Sequence, residues 1–312
     1  MRFGVLGEAK IARKFLVPAI IEAGHKVTHL GRSNSRKDVV PDIYGDIVVT
    51  DYEGLLVEDS IDAIYIPLPN HLHVKYSIKA LKAGKHVLCE KPVAMSLEEL
   101  EELESVAVDT GKYFQEAYMI GHHPQWDWLK NIDIGNIKSA QAIFSYPPQP
   151  EGNYRNSAEF GGGPLYDIGC YAILAGCIVF GGTPEVVSAI SEVKGKDSVE
   201  RQVDATLRWP NGEVLSFSVS SDTVLCQSFI VLGDDGWAKL EVPFNPPETT
   251  FAHFSGGGLI NAEKVVFPRC NQYKLMVDDF VDRAISGKNS NFELSKSITK
   301  TIQKIQKRSG LK

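Results

Sequence analysis

The alternation of strand-like and helix-like segments over residues 1–117 most constrains the fold of this chain. Short apolar runs that end in glycine, proline or a charged residue predict buried strands, and the segments between them carry apolar residues at helical spacing. This alternation is typical of parallel sheets with helices on both faces. The predicted strands cover residues 1–7, 25–31, 47–50, 61–67, 86–89 and 112–117. We therefore expect an α/β fold with a doubly wound, parallel Rossmann sheet in residues 1–120.

Beyond residue 120 the pattern changes, because strand-like segments follow one another through short turns such as Pro210-Asn211-Gly212. The predicted strands cover residues 137–145, 186–192, 203–208, 214–219, 226–233 and 236–242, and helices at 272–286 and 294–307 close the chain. No repeat or low-complexity linker separates the two parts. We expect residues 121–312 to form an α+β domain with a mostly antiparallel open sheet.

The composition is ordinary for a soluble globular protein and argues against several partners. Of the 312 residues, 43% are hydrophobic and 23% are charged, which suits two packed domains. The net charge of −6 argues against a nucleic-acid partner, because such proteins carry a concentrated basic face. The five cysteines form neither a C-x-x-C pair nor a metal-ligand spacing, which favours a reducing compartment and no metal site. Because the chain starts with a strand and has no apolar run of membrane-spanning length, we expect a cytoplasmic protein without a membrane partner.

The first strand leads into a tight turn and a helix predicted over residues 8–23. At such a turn the dinucleotide fingerprint has G-x-G-x-x-G/A, and this chain has Gly7, Ala9 and Ala12. The methyl group of Ala9 would push a pyrophosphate slightly outward. The candidate cofactor-binding residues at this turn are Gly7, Ala9, Lys10 and Ile11. A glycine at a βα turn is common in any α/β protein, so this motif alone leaves both interpretations open.

Arg32 and Ser33 follow the second predicted strand, where an NAD site usually has an acid that binds the ribose. A positive charge and a hydroxyl suit the 2′-phosphate of NADP instead. The alternative is an arginine exposed in a loop. We expect NADP as the cofactor, with NAD possible.

The fourth predicted strand ends in a proline-rich loop. Its candidate cofactor-binding residues are Pro67, Pro69, Asn70 and His73, and Asn70 is also a candidate cap for a helix running to residue 83. Such a loop could clamp a cofactor or could be a plain stiff turn.

Glu90-Lys91-Pro92 ends the apolar strand at residues 86–89. Unpaired charge at the end of a buried strand is costly in a core, but ligands of open α/β sheets bind at the carboxyl ends of the strands. Lys91 could therefore reach a substrate while the strand holds its backbone. The other interpretation is a surface ion pair that caps the strand.

In the second domain, the segment 153–171 combines three consecutive glycines with Asp167 and Tyr171, four residues apart on a predicted helix. The glycines predict a close approach of the backbone to another group. A carboxylate and a phenol on one helix face could present a proton donor and its electrostatic partner to a ligand. Alternatively, Tyr171 packs at a helix-sheet interface and Asp167 lies near the helix N-terminus.

Taken in order, the motifs of the whole chain resemble the glucose-fructose oxidoreductase / inositol dehydrogenase (Gfo/Idh/MocA) family. They are G-x-A-x-I-A, Arg-Ser after the second strand, P-N-x-x-H, A-G-K-H-V-L-C-E-K-P, E-A-Y-M before H-H-P, and G-G-G-x-L-x-D-I-G-x-Y. The chain is most similar to the branch of glucose-fructose oxidoreductase, dimeric dihydrodiol dehydrogenase and xylose dehydrogenases, in which tyrosine replaces a histidine of inositol dehydrogenases.

The resemblance implies roles for individual residues. Lys91 and Tyr171 would contact the reacting oxygen, Asp167 would orient it, and Glu90 would lie beside the nicotinamide. Tyr171 could carry the proton if a nearby ammonium brings its pKa down from about 10. Loop residues available for a polyhydroxyl substrate are His122, His123, Trp126, Asn153 and Arg155. Gly121 departs from the branch, which commonly has an arginine there, and this puts one substrate or cofactor contact in doubt.

The leading functional hypothesis is an NADP-dependent oxidoreductase of a sugar or a similar cyclic polyol. The runner-up is a reductase of a keto group on a nucleotide-linked sugar or a small dicarbonyl. A third hypothesis is a regulatory protein that binds dinucleotide and sugar without turnover. The presence of Lys91, Asp167 and Tyr171 argues against it, because a sensor needs no proton donor beside the lysine. We also expect a homodimer or homotetramer, because the helices of the second domain can cover only one face of its sheet.

Overall fold

Two sheets, one in each of two units, organise the chain. The computed structural model describes residues 1–33, 40–193, 199–257 and 261–311. The first unit comprises residues 1–119 and 271–295, and the second comprises residues 120–270 and 296–312. The strands are β1 (Arg2–Leu6), β2 (Lys26–Arg32), β3 (Val48–Asp51), β4 (Ala63–Ile66), β5 (His86–Cys89), β6 (Phe114–Glu116), β7 (Ile137–Ser145), β8 (Glu185–Val193), β9 (Glu200–Arg208), β10 (Val214–Ser220), β11 (Cys226–Gly233), β12 (Trp237–Leu240), β13 (Thr250–Ser255) and β14 (Glu263–Phe267). The α-helices are α1 (Val17–Glu22), α2 (Tyr52–Val57), α3 (His73–Lys82), α4 (Leu97–Thr110), α5 (Pro124–Asn131), α6 (Cys170–Phe180), α7 (Gln272–Ile285) and α8 (Glu293–Ser309).

The first unit is built on a six-stranded parallel sheet with the order β3-β2-β1-β4-β5-β6. All six strands were predicted, and the Rossmann fold class is confirmed. In this doubly wound order the strand sequence reverses between β1 and β4, which opens a crevice at the carboxyl edge of the sheet. The side chains of β1, β4 and β5 that face the helices are fully buried.

The helix predicted over residues 8–23 has an irregular start. A wide, π-type turn at Ala12–Leu16 precedes α1. Pro18 explains the widening, because proline has no N–H for the carbonyl four residues earlier and its ring clashes with that carbonyl.

Helix α7 belongs to the first unit, although the sequence analysis assigned residues 121–312 to the second domain. The ring of Phe280 packs against those of Phe3 and Tyr113, with ring centroids 6.0 Å and 5.7 Å apart. The Asn271 side chain, which caps α7, also donates a hydrogen bond to Glu22 at 2.6 Å. The helical pattern of this segment was visible in the sequence, but the core it packs against was not.

The second unit contains an eight-stranded sheet with the order β14-β13-β12-β11-β7-β10-β9-β8. The pair β7 and β10 is parallel, and the other neighbours are antiparallel. This confirms a mostly antiparallel sheet. The sequence analysis missed β13, β14 and α5. In the edge strand β14 only Phe267 is buried, so it has little of the alternation that predicts a strand.

Residues Ala158–Phe180 are long and apolar enough to cross a membrane by length and composition alone, but most of them are buried inside the second unit. This is the behaviour of a core helix.

Candidate functional site

The turn after β1 is shaped for close backbone approach. Gly7 has a φ of +114°, and a Cβ atom there would meet the Leu68 side chain at 2.9 Å. Its N–H donates to the Gly31 carbonyl at 2.9 Å, so the turn is fixed against β2. Lys10 is exposed, and Ala9 and Ile11 are partly exposed. Because the first turn of a helix leaves N–H groups without intrahelical partners, this end suits a pyrophosphate.

Arg32, at the end of β2, is held by a residue that the sequence analysis did not single out. Its Nε donates to Glu8 Oε2 at 2.7 Å, and both side chains are buried. Glu8 lies in the turn after β1, so the pair links the two strand ends at the crevice. The only feature of the sequence that could have identified Glu8 was the presence of an acidic residue inside the glycine turn. The turn, the crevice and Arg32 together fit a dinucleotide.

The proline-rich loop lies at the end of β4. Pro67 and Asn70 are buried, and Pro69 is partly exposed. Asn70 opens a short 3₁₀ turn, Asn70–Leu72, and α3 begins after it at His73, so Asn70 is not the cap of the α-helix itself.

His73, which was predicted to contact the cofactor, lies between two backbone carbonyls. Its Nε2 lies 2.6 Å from the Leu68 carbonyl and its Nδ1 lies 2.9 Å from the Pro92 carbonyl. The residue is 1% exposed. His73 therefore ties the proline-rich loop to the segment that follows β5.

Lys91 follows the carboxyl end of β5 and is partly exposed. The preceding residue is fixed twice: the Glu90 N–H donates to the Ile66 carbonyl at 3.0 Å, and the Tyr65 hydroxyl donates to Glu90 Oε1 at 2.6 Å. Burial and the charge of Glu90 raise the pKa of Tyr65 well above its ordinary value, so this hydroxyl remains a donor. Glu90 is therefore a hydrogen-bond acceptor that is held in a fixed position beside Lys91.

Glu116, at the end of β6, is a second carboxylate in this region that the sequence analysis did not assign. Its Oε1 accepts from the Val93 N–H at 2.8 Å, and its Oε2 accepts from the Ser295 hydroxyl at 2.5 Å. Burial raises the pKa of Glu116 to about 7, although its hydrogen bonds and the charge of Lys91 oppose the shift.

In the second unit, Asp167 is fixed by two residues that were predicted to bind substrate. Arg155 Nε donates to Asp167 Oδ2 at 2.7 Å. Burial lowers the pKa of Arg155, but the charge of Asp167 outweighs it and raises that pKa above its ordinary value. The Asn153 side chain accepts from the Arg155 N–H at 3.0 Å and so caps a short 3₁₀ turn. Both residues therefore act on the position of Asp167.

The three glycines predicted a close approach of the backbone, and the structure identifies the partners. A Cβ at Gly162 would lie 2.5 Å from the Arg155 carbonyl oxygen. Gly163 has a φ of +100°, and a Cβ there would lie 2.4 Å from Glu200 Oε1. Glu200 is buried and accepts from the Leu165 N–H at 3.1 Å. Burial raises the pKa of Glu200 to about 7.

Tyr171 lies in the first turn of α6, and Asp167 lies in the π-type turn Leu165–Gly169 that leads into it. Tyr171 is 5% exposed, and its ring lies 6.0 Å from each of the rings of Phe144 and Phe244. Aromatic packing therefore sets the orientation of the phenol.

Two of the predicted substrate residues, His123 and Trp126, are each only 1% exposed. His123 Nδ1 accepts from the Gln125 N–H and caps α5, and burial lowers its pKa to about 4. Trp126 packs against Phe229. These contacts assign the two residues to the packing of the second unit, whereas His122 is partly exposed. Gly121 is exposed with open space at its Cβ position, so packing does not exclude a larger residue there.

Comparison with known proteins identifies the family. A model of an oxidoreductase family with an NAD-binding Rossmann fold matches residues 1–118, and a model of the GFO/IDH/MocA C-terminal domain matches residues 126–239. The chain belongs to the Gfo/Idh/MocA oxidoreductase family. The resemblance inferred from the motifs is thereby confirmed over both parts of the chain.

Relatives within the Gfo/Idh/MocA family match along nearly the whole chain. A dTDP-3,4-didehydro-2,6-dideoxy-α-D-glucose 3-reductase of Actinomadura kijaniata is 32% identical and is aligned over 93% of this chain and 89% of its own. A D-xylose 1-dehydrogenase (NADP⁺) of Haloferax volcanii is 31% identical and is aligned over 98% of this chain and 96% of its own. The crystal structure of a 3-ketoreductase from Actinomadura kijaniata with NADP and TDP-benzene is 30% identical, covers 99% and 97% of the two chains, and has a TM-score of 0.89.

Proposed function

We propose that this protein is an NADP-dependent oxidoreductase that interconverts a hydroxyl and a carbonyl group on a sugar or a related cyclic polyol. The observation that carries the proposal is the position of Lys91 and the support of the chain on both sides of it. Lys91 follows Glu90 just beyond β5 at the carboxyl edge of a Rossmann sheet. On one side of Lys91 the Glu90 N–H and carboxylate are held by the Ile66 carbonyl and the Tyr65 hydroxyl, and on the other side the Pro92–Val93 peptide is held by His73 and Glu116. Rigid support of one charged side chain is what catalytic positioning needs and what a surface ion pair does not need.

Arg32 supports NADP as the cofactor. A guanidinium that Glu8 holds at the end of β2 lies where a Rossmann fold binds the adenosine ribose, and Ser33 follows it. Arg32 and Ser33 would hold the 2′-phosphate, and the turn of residues Gly7–Ile11 would hold the pyrophosphate. Glu8 offsets part of the charge, so NAD binding remains possible.

The protein's own residues would handle the proton. When bound, the nicotinamide accepts or supplies a hydride. Lys91 would hydrogen-bond the oxygen of the reacting carbon and stabilise negative charge on it. Tyr171 would give a proton to this oxygen in reduction or take one in oxidation, and Asp167, fixed by Arg155, would orient the same group.

A second candidate substrate is the keto group of a nucleotide-linked sugar. The relatives named as a dTDP-sugar 3-reductase and the 3-ketoreductase crystallised with NADP and TDP-benzene favour it. The xylose dehydrogenase favours a free aldose. A non-catalytic binding protein is disfavoured, because braces around Lys91 and Asp167 serve no purpose in a sensor that moves no proton.

A substrate panel followed by NADPH or NADP⁺ absorbance tests the proposal. It should include aldoses, inositols, dTDP-linked 3-keto sugars and small dicarbonyls, each with both cofactors. Turnover of a sugar or polyol with a preference for the phosphorylated cofactor is the expected result. The proposal fails if NADP(H) binds with micromolar or better affinity and no member of the panel is turned over in either direction.

We further propose a cytoplasmic homodimer or homotetramer that assembles through the outer face of the second unit's sheet. The core side of this sheet is buried, whereas its other side exposes apolar residues on several strands, among them Ile143, Ile190, Leu232 and Val266. Interspersed serines and threonines keep this face from being wholly apolar. Light scattering at micromolar protein should give twice the chain mass of 34.4 kDa or more; a monomer would contradict the assembly.

A further inference from the structure

The segment after Lys91 is held at a single peptide group. The carbonyl of Pro92 and the N–H of Val93 belong to the same peptide bond. His73 Nδ1 lies 2.9 Å from this carbonyl, and Glu116 Oε1 accepts from this N–H at 2.8 Å. Because the C=O and N–H of a trans peptide point in opposite directions, the two side chains hold one rigid plane from opposite sides.

We propose that Glu116 and His73 are positioning residues that fix Lys91 for proton handling in the reaction proposed above. The fixed plane begins one residue after Lys91, and the φ angle of the intervening Pro92 is locked by its ring. Little backbone freedom therefore remains between the brace and Lys91. On the other side of Lys91, Glu90 is held by Tyr65 and by the Ile66 carbonyl.

A carboxylate is an unusual choice for a purely structural brace. Glu116 is removed from water far enough that burial raises its pKa to about 7, and a neutral amide would avoid that cost. Besides Val93, the groups around it are Ser295, Tyr118, the ammonium of Lys91 and the thiol of Cys89. An ionised carboxylate accepts hydrogen bonds at both oxygens and also attracts the ammonium of Lys91, and these properties match a role in positioning a lysine.

His73 is the weaker brace of the two. Burial lowers its pKa to about 4, with the charges of Lys91 and His71 adding to the effect. A neutral imidazole has one N–H, whereas its two nitrogens face the carbonyls of Leu68 and Pro92. Near neutral pH, His73 donates to only one of them at a time. Glu116 does not depend on a tautomer, so its replacement should have the larger effect.

The first arm of the test measures the brace without turnover. Hydrogen–deuterium exchange of the peptide that contains residues 90–95 is followed by mass spectrometry in the wild type, Glu116→Ala, Glu116→Gln and His73→Asn. We expect exchange to rise about tenfold or more in Glu116→Ala and less in the other two variants, because only the alanine removes every acceptor for the Val93 amide. This arm needs no substrate, so it remains decisive if the proposed function is wrong.

The second arm measures kcat and the NADPH dissociation constant with whichever panel substrate is turned over. Misplacement of a catalytic group by about 1 Å can cost 10²-fold, so we expect kcat to fall by up to about 10²-fold in Glu116→Ala, with NADPH affinity changed less than about threefold. Glu116→Gln keeps the shape and one acceptor and should restore part of kcat. It should also alter the pH profile near neutrality, which a merely structural role would not do.

Lys85→Met is the matched control. Lys85 is also buried, and its ammonium braces two backbone carbonyls of the first unit, those of Glu58 and Ile61, at 2.7 Å and 3.0 Å. This variant should lower the melting temperature but leave both kcat and the exchange of residues 90–95 unchanged. Wild-type exchange in Glu116→Ala, or an equal loss of kcat in Lys85→Met, would overturn the proposal. If Glu116→Ala does not fold, Glu116→Gln and Ser295→Ala carry the same comparison.

Discussion

The segment around Lys91 in the first unit and the helix start around Asp167 in the second unit are supported in different ways. Lys91 lies in irregular chain, so its position depends on side chains from elsewhere in its unit, namely Tyr65, His73 and Glu116. Tyr171 lies on a helix whose own hydrogen bonds fix its backbone, and the buried Glu200 only anchors the start of that segment at the Leu165 N–H.

Glu116 and Glu200 make this comparison testable, because they are alike in chemistry. Each is a carboxylate that accepts a backbone N–H, and burial raises the pKa of each to about 7. We infer that a brace on irregular chain affects catalysis, whereas an anchor at a helix start affects mainly stability.

Replacement of the two proposed catalytic residues should give the largest effect. Lys91→Met removes a hydrogen bond and a charge at the reacting oxygen, and Tyr171→Phe removes the proton carrier but keeps the ring packed against Phe144 and Phe244. General acid-base assistance is worth about 10²–10⁴-fold, so kcat should fall by that order in each variant. If Tyr171→Phe retained near-normal kcat across the pH range, Tyr171 would be only a packing residue.

The next largest effect concerns cofactor affinity, which should depend on Arg32 of the first unit and not on Tyr171 of the second unit. In Arg32→Ala we expect a loss of about 1.5–3 kcal/mol in NADPH binding and almost none in NADH binding, because only NADPH carries the 2′-phosphate. Fluorescence titration measures both, and Tyr171→Phe, a change in the second unit, serves as the control with unchanged affinity. Wild-type titration curves that coincide for the two cofactors would remove the assigned role of Arg32.

Glu200 should contribute a pH-dependent term to stability. Its pKa is raised from 4.5 to about 7 in the folded state, so folding favours the protonated form. The corresponding stability is complete below pH 4.5 and is lost as the pH rises to about 7, which amounts to at most about 3 kcal/mol. Glu200→Gln should therefore reduce the fall in unfolding free energy between pH 4.5 and 7, as measured by urea denaturation.

In the same variant kcat should change less than about threefold if the helix itself positions Tyr171. Glu116 titrates in the same pH range and remains in place, so part of the slope should persist. A kcat loss as large as that of Glu116→Ala would contradict the distinction between the two supports.

The smallest effect concerns the glycine that packs against Glu200. Gly163→Ala introduces a Cβ at 2.4 Å from Glu200 Oε1 at a φ of +100°, so we expect a loss of about 2–3 kcal/mol in unfolding free energy. Gly111, an αL residue with a φ of +62° and nothing within 4 Å of its Cβ position, is the control, and Gly111→Ala should lose only about 1 kcal/mol. Equal losses would show that Glu200 adjusts freely and is not a rigid anchor.

The sequence predicted the parallel sheet well because its central strands β1, β4 and β5 are buried along nearly their whole length and form short continuous apolar runs. The edge strand β14 escaped prediction because it has weak alternation. The inner strand β13 escaped because its buried residues are Thr250, Ala252 and Ser255, which are not large apolar side chains. Local sequence patterns could not assign α7 to a unit, because they show which face of a helix is apolar but not which residues cover that face.

The same limit applies to the site. Lys91 stood out because a charge at the end of a buried strand is costly in a core, and Asp167 and Tyr171 stood out because they lie four residues apart on a helix that follows three glycines. Glu8, Glu116 and Glu200 did not, because their importance comes from partners 24, 23 and 35 residues away in sequence. Arg155 and Asn153 were recognised as polar residues of the correct loop, but only coordinates show that they hold Asp167.

The most direct test of the central claim is a double-mutant cycle. Single-turnover reduction with bound NADPH is measured for the wild type, Lys91→Met, Tyr171→Phe and the double variant. If Lys91 and Tyr171 handle one proton at one oxygen, the double variant should be little slower than the slower single variant. Losses that multiply, with each residue costing its full factor in the absence of the other, would show that the two act independently and would contradict the account.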